Sequence, residues 1–257
     1  MIDEFQVPFD INKFRKTNYP WNQLMLNDPW SVGYVSQLIE LKTFNTKKEW
    51  EDFYYEMGAY RQKKISALDN TTQTILNNEE LIRTDKNAVY KLSKQIIDIN
   101  KLNGRTKNEL KKKGTILFNA VKDNIPYITE EECFQAVVYR VIGETWNGIV
   151  LREKNTTTTL QRKFPQLNFV KKSGEFDFNY AVDFQLYNGN VLICAIQIKP
   201  KSYTYNTPYL ARAKSANAEK NKKYSLEYNV PVFNIISSAK GVVYNEQILI
   251  TIAKLLE

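Results

Sequence analysis

The chain is 257 residues long, 43% hydrophobic and strongly basic, with 36 Lys and Arg against 28 Asp and Glu, a formal charge of +8 and a pI near 9.2. Histidine is absent, which removes Ser-His-Asp hydrolysis, His-ligated zinc catalysis and nucleases built on a His base, and leaves chemistry by carboxylates, lysine and a hard metal. The basic excess points to a polyanionic partner, nucleic acid before an anionic membrane.

The length allows one large domain or two small ones with a real core. Apolar runs such as Val191 to Ile196 stop far short of a membrane span, and Met1-Ile2-Asp3-Glu4 has neither a basic nor an apolar leader character. A cytoplasmic protein of prokaryotic or phage-like type, with no membrane partner, is therefore expected. Cys133 and Cys194 lie inside apolar patterns and read as buried free thiols.

The first half reads as helical. Pro29 opens an apolar stripe through Trp30, Val32, Val35, Leu38, Ile39 and Leu41, and Thr46 with Glu49 forms a capping box ahead of Trp50, Phe53, Tyr54 and Met57. These aromatics at helical spacing are expected in the core. A further stripe runs from Leu81 and Ile82 through Val89, Tyr90, Leu92, Ile96, Ile97 and Ile99, with Gly104 placed to end it. Thr106 and Glu109 cap the next, carried by Leu110, Ile116, Leu117, Ala120 and Val121. Pro126 breaks the helical pattern, and the division falls there: a helical region over 1–128, for DNA binding or dimerisation, and an α/β core over 129–257.

Within that core Thr129 and Glu132 open a helix through Phe134, Val137, Val138, Val141 and Ile142. Strands are expected at Gly148 to Arg152 and Leu167 to Lys171, with the Thr156 to Thr159 run in a loop or helix start. A hairpin follows, then a helix begun by Thr207-Pro208, a buried strand at Val230 to Ile236 and a final helix from about Asn245 to Leu256. The order predicts an α+β, mixed α/β fold: a central mixed sheet flanked by helices, behind a helical N-terminal region.

The hairpin is the most informative segment. Ala181 to Tyr203 holds two β-rich runs split at Asn188-Gly189-Asn190. By alternation Val191, Ile193, Ala195, Gln197 and Lys199 share one face, while Leu192, Cys194, Ile196 and Ile198 share the other. Asp183 on the first strand and Gln197 and Lys199 on the second put a carboxylate, an amide oxygen and an ammonium at one end of the hairpin. Such a set could hold a divalent cation and a water beside a phosphate. The competing reading is an edge strand whose Gln and Lys face water; the apolar run, the stop at Pro200 and the basic aromatic segment downstream argue against it. For a further acid, Glu144 falls on the buried stripe of its helix, or turns out to solvent at the helix end. Glu132 is explained as a cap. Glu175 and Asp177 precede Asp183 at even spacings and either share its face on a long strand or lie in a solvated loop.

From about Thr129 to Ile236 this succession, with Asp183 and Gln197-Ile198-Lys199, resembles the PD-(D/E)XK nuclease superfamily and especially its type II restriction endonucleases. Ile196-Gln-Ile-Lys-Pro200 and the following Tyr203 further resemble the MjaI-type restriction enzymes. The resemblance implies a restriction-endonuclease-like core and a Mg2+ site, with Mn2+ as a substitute, at which Asp183 is the first acid, Lys199 the lysine, and the Ile198 carbonyl a further ligand. Gln197 departs from the usual acid, and Ala181-Val182 stands where a Pro is often found. Helix carboxylates join the site in that family.

Two basic sets suit DNA contacts. Lys201, Tyr203, Tyr205, Arg212 and Lys214 follow the hairpin, a mix fitted to phosphates and stacking. Arg152, Lys154, Arg162 and Lys163 bracket the Asn155 to Thr159 run, whose short side chains could approach base edges. Either set could be an ordinary solvated face. The expected function is a sequence-specific, Mg2+-dependent endonuclease acting on double-stranded DNA as a homodimer. The alternatives are a non-catalytic nucleic-acid-binding module that keeps the nuclease fold and a helical interaction protein with a structural hairpin.

Overall fold

The computed structural model describes residues 4–15, 32–78, 99, 102–172 and 175–257, which form two compact units, Met1–Trp146 and Asn147–Glu257. The expected helix start at Pro29 and Trp30 and the stripe from Leu81 to Ile97 lie outside the described residues.

The described elements of the first unit are helices: α1 (Ile11–Arg15), α2 (Val32–Ile39), α3 (Lys47–Ser66), α4 (Asn70–Asn77), α5 (Lys107–Val121), α6 (Glu130–Val138) and α7 (Glu144–Gly148), the last running into the second unit. Their starts follow the capping chemistry. Thr106–Glu109 and Thr129–Glu132 form full reciprocal capping boxes, which satisfy amide groups that a helix start leaves without partners. At Thr46 the hydroxyl accepts from Glu49 N, but the Glu49 carboxylate takes the Asn45 N–H at 2.9 Å, so this cap is a variant of the box. Trp50 and Tyr54 are fully buried, as their spacing predicts, and Trp50 Nε1 donates to Ile142 O at 3.1 Å. Gly58 and Gly104 are demanded by close packing. A Cβ on Gly58 would lie 2.2 Å from the Arg105 carbonyl carbon, and one on Gly104 would lie 2.0 Å from Tyr54 O.

The second unit begins in the end of α7 and continues with α8 (Val150–Lys163), β1 (Leu167–Lys171), α9 (Glu175–Tyr180), β2 (Phe184–Asn188), β3 (Val191–Pro200), a 3-10 turn (Lys201–Thr204), α10 (Pro208–Tyr228), β4 (Val232–Ser237) and α11 (Gln247–Lys254). The sheet order is β1-β2-β3-β4, antiparallel except for the parallel β3–β4 pair that α10 connects. Leu160, Phe164, Leu186, Cys194, Ile196, Ile198, Ile235, Leu249 and Ile252 form the core on one sheet face, under α8 and α11. Val182, Ala195 and Tyr224 form a second core on the other face, under α10. The result is the mixed α/β core, a four-stranded mixed sheet flanked by helices, that the element order predicts.

Three local expectations are corrected. Gly148 to Arg152 forms no strand: α7 ends at Gly148, Ile149 makes a turn and α8 begins at Val150, with no Pro or Gly from there to Phe164 to stop it. Thr156 to Thr159 lie in the middle of α8, where Thr157, Thr158 and Thr159 hydroxyls bond back to carbonyls one turn earlier. The strict alternation along β3 fails near its start. Leu186 pairs with Cys194 but Tyr187 with Leu192, so Ile193 is an extra residue in a bulge and packs with the Cys194 side of the sheet, apart from Ala195.

Candidate active site

Asp183 stands one residue ahead of β2, and the backbone fixes it on two sides. Its N–H donates to Ile196 O at 2.9 Å and its carbonyl accepts the Lys172 N–H at 2.7 Å. Phe184 is opposite Ile196 and Gln185 opposite Ala195; the same register carried one residue further sets Asp183 opposite Gln197. Asp183 Oδ2 accepts the Ile198 N–H at 2.6 Å, a short charge-assisted bond that ties the carboxylate to the next strand. Two residues on, Lys199 is half-buried with its ammonium 5.7 Å from the centre of the Tyr203 ring. The sheet thus brings Asp183, Gln197, Ile198 and Lys199 to one end of its two central strands.

Gln197 is only 2% exposed, and its Oε1 has no hydrogen-bond donor. A buried polar oxygen left without a partner carries a desolvation penalty of about 1–3 kcal/mol, which natural folds seldom tolerate unless something else binds there.

The surrounding charges are mixed, with Glu153 and Asp177 set among Lys171, Lys199 and Lys220. Burial, and next to it the Glu153 carboxylate, push the Asp183 carboxyl well above the usual aspartate range, while Lys199 and the Ile198 N–H pull it back. Burial likewise raises Glu153, opposed chiefly by Lys171, and raises Asp177, opposed by Lys199, Lys220 and Lys171. Lys171 Nζ is 2.9 Å from Glu153 Oε2, an ion pair outside hydrogen-bond geometry. Glu153 is a member of the site that the sequence reading passed over. On α8 it is an inward-turned acid ahead of β1. Asp177 lies on α9, rather than on a long strand or in a solvated loop.

Among the described residues no three His, Cys, Asp or Glu side chains gather as a metal cage. The oxygens on offer are the Asp183 and Glu153 carboxylates and the Gln197 amide. All are hard donors of the kind Mg2+ prefers, and one of them is buried without a partner, so the set fits a divalent cation with an amide where a further acid would be expected. Glu144, a candidate helix acid from the sequence with a solvent-facing helix end as its alternative, sits in α7 and forms an ion pair with Arg140 one turn earlier.

The basic residues divide by environment. Lys154, Arg162, Lys163, Lys201 and Arg212 are exposed, and Tyr205 is 56% exposed. Lys214 is engaged within the loop, donating to Tyr205 O at 3.0 Å and lying 5.7 Å from the Tyr203 ring, and Asn217 Nδ2 donates to the Tyr203 hydroxyl at 3.3 Å. Tyr203 is therefore half-buried between the Lys199 and Lys214 ammonium groups. Arg152 is half-buried with its guanidinium on the Gly148 carbonyl. Asn155 and Thr156 do not present themselves to base edges: Asn155 donates to Ala239 O at 2.7 Å, and the buried Thr156 hydroxyl bonds Ser237 Oγ at 2.8 Å.

Residues 17–241 match the family model described as MjaI restriction endonuclease. No curated protein and no solved structure matches the chain.

Proposed function

The chain belongs to the MjaI restriction endonuclease family and is a type II endodeoxyribonuclease, and from that premise we propose that it hydrolyses double-stranded DNA at a specific sequence with Mg2+ held at the polar end of β2 and β3. The observation that carries this reading is the buried, unpartnered Gln197 Oε1 opposite Asp183 and beside further acids. Asp183, Glu153, the Gln197 amide oxygen and the Ile198 carbonyl are the proposed ligands. A cation bound there supplies positive charge that polarises the scissile phosphate and acidifies an attacking water.

The chain's own groups do the rest. Asp183, fixed by the Ile198 N–H, holds one carboxylate oxygen in a set orientation and leaves the other for a ligand. Lys199 orients the attacking water and offsets the charge that grows on the phosphate, and Tyr203 under its ammonium limits where that charge can sit. Lys201, Arg212, Lys154, Arg162 and Lys163 contact phosphates from the exposed surface. Lys214 and Tyr203 shape the loop that presents Tyr205, and Arg152 contributes as a half-buried charge. A palindromic target calls for a two-fold enzyme, so the active species is proposed to be a homodimer.

Incubation of purified protein with unmethylated plasmid or phage DNA, with and without Mg2+, tests the reading. Discrete fragments that require the cation are expected, with Mn2+ substituting. A random smear, or the same fragments in excess chelator, would overturn specificity or metal dependence respectively.

A further inference from the structure

The approach to Asp183 is conformationally unusual. Helix α9 ends at Tyr180, and Ala181 adopts φ +53, a left-handed backbone that normally falls to glycine at a helix C-terminus. Ala181 is nearly fully buried, so its carbonyl cannot turn to water in place of a donor. Asn221 of α10, 9% exposed, faces both carbonyl oxygens. Only an amide nitrogen can bond two acceptors, and so oriented it donates to Tyr180 O and Ala181 O at 2.9 Å each. One turn along the same helix, Tyr224 OH accepts from Gln185 Nε2 at 2.7 Å and packs against Val182. Ala181 and Val182, the two residues ahead of Asp183, are therefore held from α10, while the carboxylate itself is held from β3.

We infer that Asn221 is a positioning residue for Asp183: by bonding both carbonyls it stabilises the left-handed bend at Ala181 that aims the Val182-Asp183 step at Gln197. The inference rests on the proposed cation site. Glycine adopts the bend without help, so a glycine at 181 makes Asn221 dispensable for positioning, though not for the packing of α10.

The test measures Ca2+ affinity of the full chain by calorimetry, without DNA, alongside thermal unfolding. Asn221→Leu, close in volume but without donors, is expected to weaken Ca2+ binding about 10-fold, at the lower end of what loss of a supporting group costs a metal site. Ala181→Gly alone leaves affinity unchanged, and the Asn221→Leu, Ala181→Gly double variant returns to within about 3-fold of the native value while its melting temperature stays lowered. An unchanged affinity in Asn221→Leu, or a loss that glycine does not restore, overturns the inference and leaves Asn221 as a brace between helices. Should Asn221→Leu fail to fold, Asn221→Ser, which keeps a single donor, is read in its place with the same outcomes. Asp183→Asn is the control. If it retains Ca2+ affinity, the cation site itself is wrong; if it loses affinity and Asn221→Leu does not, only the positioning role fails.

Discussion

Replacing Gln197 by Glu places a carboxylate at a position that is 2% exposed and opposite Asp183. Without a cation this is destabilising, and protonation sets the ceiling. A buried carboxyl can escape its charge by taking up a proton, and each pH unit above its ordinary pKa of about 4.3 is worth about 1.36 kcal/mol. The ionisation part of the deficit in chelator therefore cannot exceed about 3.7 kcal/mol at pH 7 and about 1 kcal/mol at pH 5. For a chain of this size each kcal/mol moves the melting temperature by roughly 2–4 °C, which makes the full ionisation effect at pH 7 roughly 7–15 °C. Ca2+ at a hundred times its dissociation constant returns about 2.7 kcal/mol to whichever protein binds it. The variant, with an anionic ligand in place of a neutral one, binds more tightly than the native chain and recovers more at equal Ca2+. The assay is thermal unfolding of both proteins at pH 5 and 7, in chelator and across a Ca2+ titration. A deficit that is the same at both pH values and insensitive to Ca2+ would mean that Gln197 Oε1 does not face the acids, and the constellation would lose a ligand.

Asp183 tests the same electrostatics with the opposite sign. Its folded pKa is raised, so the folded state binds the proton more tightly, and stability present at low pH is lost as pH rises through the raised value. In chelator, Asp183→Asn should melt above the native protein at about pH 8, with the gap closing towards about pH 4, and in Mg2+ its cleavage should be abolished; equal melting at both pH values would deny the crowding of acids. Lys199→Ala should abolish cleavage in Mg2+ yet retain specific DNA binding in Ca2+, read by gel shift, and residual cleavage near the native rate would remove Lys199 from the mechanism. Arg212→Ala, and separately Lys201→Ala, should weaken binding to cognate and random duplexes alike and reduce the log-log salt slope by about one, whereas Tyr205→Ala should cost about 1–3 kcal/mol with little change in slope. Unchanged affinity in all three would return the segment after β3 to a solvated face.

The sequence by itself determined whatever rests on local rules. Thr-x-x-Glu spacings fix the starts of α5 and α6, Thr207-Pro208 starts α10, and the Asn188-Gly189-Asn190 signal sets the β2–β3 turn, because each is decided by groups within one turn of the chain. That Asp183 and Gln197 lie at one end of the hairpin was legible from the turn signal, but their pairing was not: the turn register, Asn188 opposite Val191, carried straight along sets Asp183 opposite Ile196, and the extra residue at Ile193 shifts it to Gln197. Where a non-local contact outweighed the pattern, the sequence misled. Ile149, Val150 and Leu151 look like a strand until α7 and α8 give them a helical context, and no pattern in β3 announces the bulge at Ile193. Only the tertiary structure brought Glu153, thirty residues before Asp183, to the acid cluster and left Gln197 Oε1 buried without a donor. It likewise set Asn221 against the carbonyls ahead of Asp183. Such contacts join residues whose separation along the chain carries no periodic signal. They come into being only when α8 and α10 pack on opposite faces of the sheet, and they decide which charges a buried site must share.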